Sequence, residues 1–277
     1  MDEPSPDQVE AYRADGFVIV PDYLPFREVE ATRARFDPLF AHEWSTGVAP
    51  DEVNYTAGTT APDRTRQLCN AWRADPVIAS TVRSARHGRF AAALEGAAGM
   101  RLLQDNVLWK PPGGRAVGAH RDNAYNGWLD PVNMTTCWMA LDDTSADGGT
   151  IYYVRGSHRW PPTEMADNFH APDDWLAHAR TIAPQGVDLE ALLEPVEVPA
   201  GGAAFHHGWT LHGSPPSRRA DRSRRSLVAH LGRLETHHHP AQRHPVYSRY
   251  LRPGSLDLPA EHFPPVWPED YGDGVAP

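Results

Sequence analysis

A chain of 277 residues, 40% of them hydrophobic, has material for one sizeable core and reads as a single domain over 1–277. Its formal net charge of −10 argues against nucleic acid or an anionic membrane as partner, since both call for a basic face. Its 2 cysteines, Cys69 and Cys137, are too few for a disulfide framework; with no apolar leader and no run near the ~20 residues of a membrane span, the expectation is a cytoplasmic protein.

Ser5-Pro6-Asp7-Gln8 is a capping box with proline at the first helical position, which predicts a helix to about Ala14 stopped by Gly16. Phe17 to Val20 is short, apolar and β-branched, and predicts a strand closed by Pro21-Asp22. Val29, Phe36, Leu39 and Phe40 share one face of a helix over about 26–40. Residues 42–66 then lose all periodicity, and so long a loop is expected to serve as a functional flap. A second helical stretch, about Val77 to Ala98 with Gly99 after it, completes a mainly helical part over 1–101.

From Leu102 the texture changes to short strands between Pro and Gly turns. Strands are expected at Leu103–Lys110, Val132–Leu141, Thr150–Val154, Val196–Pro199, Ala203–Phe205 and Ser226–Leu234, with 160–190 an insertion and a Pro-rich tail over 235–277. Helices followed by strands point to an α+β fold. Its core, over 102–234, is expected to be a double-stranded β-helix of jelly-roll or cupin-like form, with the N-terminal helices packed on it and a ligand in its mouth.

His120-Arg121-Asp122 follows the turn-rich run 110–118 and is expected to open a strand, where residues two apart share a face and can grip one ion. Alone, the pair reads equally well as a surface contact. The stretch 199–214 adds His206, His207 and His212, of which we take His212 as the third ligand. Two imidazoles and one carboxylate leave the opposite face of a metal open, as Fe(II) oxygenases require, and zinc suits the same donors. Arg224 heads an apolar strand. Turned inward it needs a carboxylate, for which the distal group of 2-oxoglutarate is suited; turned outward it is a surface residue of the Arg218–Arg225 run.

Asn123, Tyr125, Asn126 and Trp128, with the 42–66 loop and the aromatic residues of the insertion, are candidate walls for a polar small-molecule substrate. His237-His238-His239 is not expected to hold the metal, because neighbours on a strand alternate faces.

Over about residues 8–234 the ordered motifs resemble those of the phytanoyl-CoA dioxygenase (PhyH-like) family of Fe(II)/2-oxoglutarate oxygenases. They are the stretch from Tyr12 to Pro21, Lys110-Pro-Pro, His120-x-Asp122, Trp138-Met-Ala-Leu-Asp-Asp, Gly149, Arg155-Gly-Ser-His-Arg, and His212-Gly-Ser214 with Arg224. The resemblance implies that His120, Asp122 and His212 hold Fe(II), and that Arg224 binds the distal carboxylate of 2-oxoglutarate with Ser214 assisting. It also places Trp138 near that co-substrate, a position a core tryptophan would fill as well, and sets Gln104 and Lys110 on a strand lining the pocket. Halogenating relatives replace the ligand carboxylate by a small residue; Asp122 keeps it. Arg155 stands where many relatives have proline and would reach toward a polar substrate.

The activity so implied is an O2-dependent hydroxylation, oxidative cyclisation or desaturation in specialised metabolism, releasing succinate and CO2. A zinc-dependent hydrolase on the same ligands and a non-catalytic cupin-like binding module are the alternatives.

Overall fold

Ser5 caps the first helix in a computed structural model that describes residues 3–166, 169–269 and 271. Its side chain accepts from the Gln8 amide while Gln8 Oε1 accepts from Ser5 N at 2.8 Å, and α1 (Pro6–Asp15) stops at Gly16, whose φ of +87° suits only a residue without Cβ. β1 (Phe17–Val20) follows.

The helix expected over 26–40 is two, α2 (Phe26–Arg33) and α3 (Phe36–Phe40). Pro38 explains the break: it has no N–H for the Ala34 carbonyl and its ring crowds that carbonyl. The stretch 77–98 also divides, into α4 (Pro76–Val82), capped by Asp75 Oδ1 on the Val77 and Ile78 amides, and α5 (Ala85–Glu95). His87 Nε2 donates to the Thr81 carbonyl at 2.8 Å, taking an acceptor a continuous helix would have used. Gly96, at φ +63°, ends α5 in place of Gly99.

Two sheets form the core, and every strand pair is antiparallel. Among the described residues the larger runs β1, β10 (Ala203–His207), β7 (Met134–Ala140), β12 (Arg224–Arg233), β4 (Met100–Lys110), β3 (Arg66–Cys69), β2 (Glu52–Val53), with β14 (Pro265–Trp267) also on β4. The smaller runs β5 (Val117–His120), β11 (His212–Ser214), β8 (Tyr152–Val154), β9 (Leu193–Pro195). β6 (Leu129–Asp130) pairs with β13 (His237–His238), and α6 (Ala177–Ile182) lies in the insertion. This is a jelly-roll core with helices on one side. Val196–Pro199 is not a strand; β9 ends just before it. The 42–66 loop supplies β2 in its middle, so part of it is an edge of the sheet.

Side-chain alternation divides the large sheet into two faces. Cys137, Met139, Phe205, Leu227, Ala229 and Leu231 pack against Val29, Phe36, Ile78 and Phe90 of the helices. Their neighbours Trp138, Ala140, Ala204 and Val228 pack on Ile151 and Tyr153 next to the small sheet. The same period places Thr136, His206, Arg224 and His230 on that inner face. Among the described residues, no helix is long and apolar enough to cross a membrane.

Candidate metal centre and its two cavities

β5 and β11 pair so that His120 and His212 stand opposite each other. His120 Nδ1 donates to the Gly118 carbonyl and His212 Nδ1 to the Thr210 carbonyl, each at 2.9 Å. With the proton on Nδ1, each neutral ring presents a bare Nε2 lone pair. Both Nε2 atoms face Asp122 Oδ1, at 3.6 Å from His120 and 3.5 Å from His212, and the three buried residues offer donor atoms within 4.8 Å of one another.

Asp122 reaches this position differently from the expectation. His120 ends β5 instead of opening a strand, and Asp122 heads a 3-10 turn over Asp122–Tyr125. The chain turns at Arg121, whose buried guanidinium donates to the Pro161 and Ser157 carbonyls and ties down the start of the insertion. The second carboxylate oxygen is held from behind. Asp122 Oδ2 accepts from Thr136 Oγ1 at 2.7 Å and from His206 Nε2 at 2.9 Å. Tyr153 donates to His206 Nδ1, and His230 Nδ1 donates to the Thr136 hydroxyl, both at 2.9 Å.

Burial opposes the Asp122 charge, but the histidines around it, His212 and His230 ahead of the hydrogen bond that His206 donates, hold its carboxyl well below the usual range. Burial, reinforced by His120, pushes His212 well down, so its ring is neutral and a competent ligand. His206, one of the three histidines weighed as ligand, is therefore a brace for Asp122. His207 lies outside the group, and His238 stacks near Trp128.

Two cavities meet at His120 and Asp122. The first reaches Arg224, Ser214 and Trp138. Arg224 is 7% exposed, its guanidinium lies 5.6 Å from the Trp138 ring, and its Nη1 donates to Ser226 Oγ at 3.1 Å. Its Nε is buried without a partner, and no carboxylate of the described residues is within ion-pair distance. Burial alone draws this arginine down to about 10, against a weak opposing pull from Asp142. Lys110, opposite Arg224 on β4, is fully buried and donates to Ser214 Oγ and to the Pro215 carbonyl; burial and then Arg224 push it well down. A buried guanidinium without an acid among the described residues fits an anionic group in this cavity, and a dicarboxylate chelated at the metal would supply one.

Of the other expected walls, Tyr125 and Asn126, Glu52 and Asn54 of the 42–66 loop, and His170 of the insertion line the second cavity. Gln104, expected with Lys110 on a pocket-lining strand as a co-substrate contact, lines this second cavity and not the one that reaches Arg224: it pairs with His230, six residues along β4 from the Lys110–Arg224 pair, and six residues of strand span about 20 Å. Trp128 is a core residue packed on Leu103, Tyr247 and Phe263, its Nε1 donating to Asn126. Asn123 braces a loop through the Val132 and Gly208 carbonyls. Arg155 is at the surface, paired with Asp15 at 3.0 Å and Glu194 at 2.7 Å, because those acids lie nearer than the cavity.

Sequence reasoning missed Thr136, His230 and Asn106, whose only signal is a polar residue at an inward position of an otherwise apolar strand. It also missed His244 and Tyr247 of the second cavity, which come from the tail of the chain.

The phytanoyl-CoA dioxygenase (PhyH) family model matches residues 12–226. Phytanoyl-CoA dioxygenase domain-containing protein 1 of Bos taurus is 22% identical over 271 residues, 82% of this chain and 89% of that protein. The dioxygenase olcK of Penicillium canescens is 23% identical over 255 residues, 84% and 74% of the two chains. Among solved structures, the carbocyclase SnoK from nogalamycin biosynthesis superposes with a TM-score of 0.73 at 24% identity, covering 95% of this chain and 96% of SnoK. EctD from S. alaskensis gives 0.68 at 18% identity over 92% and 87%. These likenesses show the same fold, and with a family model spanning most of its length and the family's motifs in order, the chain belongs to the phytanoyl-CoA dioxygenase family of Fe/2-oxoglutarate-dependent dioxygenases.

Proposed function

We propose that this protein hydroxylates, or oxidatively cyclises or desaturates, a polar small molecule of specialised metabolism, with His120, Asp122 and His212 holding Fe(II) and Arg224 fixing 2-oxoglutarate. The observation that carries this reading is Arg224: a buried guanidinium without an acid, lining the cavity that begins at the ligand triad. A zinc hydrolase has no use for it. A binding module has no use for a carboxylate braced by two donors behind two tautomer-locked imidazoles. The hydroxylation balances as 2-oxoglutarate, O2 and R–H going to succinate, CO2 and R–OH. Bound Fe(II) with 2-oxoglutarate supplies the oxidising chemistry.

The chain's own residues supply position and polarity. Gly118 and Thr210 fix the ligand tautomers through their carbonyls, while Thr136 and His206 fix which oxygen of Asp122 faces the ion. Arg224 meets the far carboxylate, Trp138 forms the wall beneath it, and Lys110 orients the Ser214 hydroxyl. The second cavity, rimmed by side-chain amides, takes the substrate. Its polarity supports a hydroxylated molecule over an acyl chain, and the likeness to proteins of nogalamycin biosynthesis supports specialised metabolism. The buried free thiols of Cys69 and Cys137 support a cytoplasmic setting.

Anaerobic addition of Fe(II) and 2-oxoglutarate should give a visible charge-transfer band, and admission of air should give succinate. His212→Ala should lose both while keeping the wild-type circular dichroism. A fully active His212→Ala protein would falsify the ligand assignment.

A further inference from the structure

Two adjacent acids at the mouth of the second cavity are treated differently by the fold. Asp51 is neutralised: its carboxylate accepts from Arg249 at 2.5 Å and from Tyr250 at 2.7 Å, and lies 3.5 Å from Arg73. These contacts tie the tail to the edge of the large sheet. Glu52 pairs with no lysine or arginine among the described residues. It lines the cavity, whose wall contains neither lysine nor arginine, and no ion pair reaches it among the described residues.

Glu52 is nevertheless held in place. Gln104 Nε2 donates to Tyr247 Oη at 2.7 Å, and the Tyr247 hydroxyl, with one proton to give, donates to Glu52 Oε1 at 2.7 Å. The other oxygen, Oε2, accepts nothing from the described residues. Asn54 Oδ1 also accepts nothing from the described residues, while the amide nitrogens of Gln67, Asn106 and Asn126 each give one of their two protons, to Asn106, His230 and the Asp122 carbonyl. A cavity with a fixed, uncompensated carboxylate and unfilled acceptors is complementary to a donor-rich cation and repels an anion.

We infer that Glu52 is the anchor for a protonated amine of the substrate, so that the substrate class is an amine-bearing, hydroxylated small molecule and not a phosphate ester or a coenzyme A thioester. The inference rests on the oxygenase reading only in calling the ligand a substrate. Tyr247 is a positioning residue: it acts through the carboxylate it orients, from a tail segment that Asp51 pins.

Calorimetric titration of the protein with glucosamine, glucose and glucose 6-phosphate tests this, done both without metal and after anaerobic loading with Fe(II) and 2-oxoglutarate. The expected order is glucosamine at least about tenfold tighter than glucose, with the phosphate weakest, since a charge-assisted hydrogen bond corresponds to about 10- to 100-fold in affinity. Glu52→Gln should abolish the amine preference, and Tyr247→Phe, which preserves the cavity's shape, should reduce it severalfold even if the first variant folds poorly. Equal or tighter binding of glucose or its phosphate, an amine preference that survives Glu52→Gln, or no amine preference in the wild type overturns the inference. Loss of the charge-transfer band in the wild type would instead remove the oxygenase reading, and leaves the metal-free titration to be judged separately.

Discussion

The two cavities that meet at the metal-facing residues are built in opposite ways. The cavity proposed for 2-oxoglutarate is made of strand residues whose positions follow from register: Arg224 opposite Lys110, His212 opposite His120, Trp138 opposite Val228. It concentrates positive charge in a buried place. The cavity proposed for the substrate is made from the sheet edge at Glu52, the insertion and the tail at His244 and Tyr247, and it presents a negative charge. Reaction chemistry common to a family thus sits on rigid strands, where a side chain cannot shift without moving a sheet. Selectivity sits on segments held by a few ion pairs and hydrogen bonds, which substitution alters at small cost to the core.

The largest test of this contrast is at the rigid end. Arg224→Met removes the charge while keeping a long apolar side chain beside Trp138; the Michaelis constant for 2-oxoglutarate should rise by about 10²–10³-fold, as expected when a buried charge loses its partner. Binding of Fe(II) alone should be retained, and if the constant for 2-oxoglutarate is unmoved the anion site is elsewhere.

A smaller effect separates ligands from their braces. Thr136→Val removes one of the donors to Asp122 Oδ2 and leaves His206 in place, so Fe(II) affinity measured by anaerobic competition should fall by about 10–100-fold. Unchanged affinity would make the brace a packing feature.

The smallest effect is expected at the substrate end and depends on pH. His244 Nδ1 accepts from the Val246 and Tyr247 amides, at 3.1 and 3.2 Å, which requires an unprotonated nitrogen. Burial lowers its pKa, against a weaker opposing pull from Glu52. A histidine held below its unfolded value of 6.5 contributes stability that is complete above that value and is lost as pH falls through the lowered one. Exchange protection of those two amides, corrected for intrinsic rate, should therefore fall a few-fold on acidification from pH ~7 to ~5. Arg224, drawn down only to about 10, stays charged throughout, so 2-oxoglutarate binding should vary less over the same range.

Much of the rigid end was legible in the sequence because its signals are local or periodic. The capping box of α1, the apolar β1 and the strand after Arg224 have the positions their patterns predict. His120, Asp122 and His212 come together as expected, although by a turn at Arg121 and not by strand alternation. Trp128 and Arg155 failed for a shared reason: an aromatic or charged residue near a site in sequence carries no sign of whether a nearer partner exists. Trp128 found Phe263 and Tyr247, and Arg155 found Asp15 and Glu194.

The sequence by itself determined the helix caps, the apolar strands with inward polar exceptions, and the donor types a metal needs. These depend on residues a few positions apart, whose geometry the backbone dictates. Only the tertiary structure decided that His206 stands behind Asp122, that Gln104 lines the second cavity, and that Tyr247 aims Glu52 from a point 195 residues away. Those outcomes are set by sheet register and by the docking of the tail, which depend on long-range packing that no local pattern encodes.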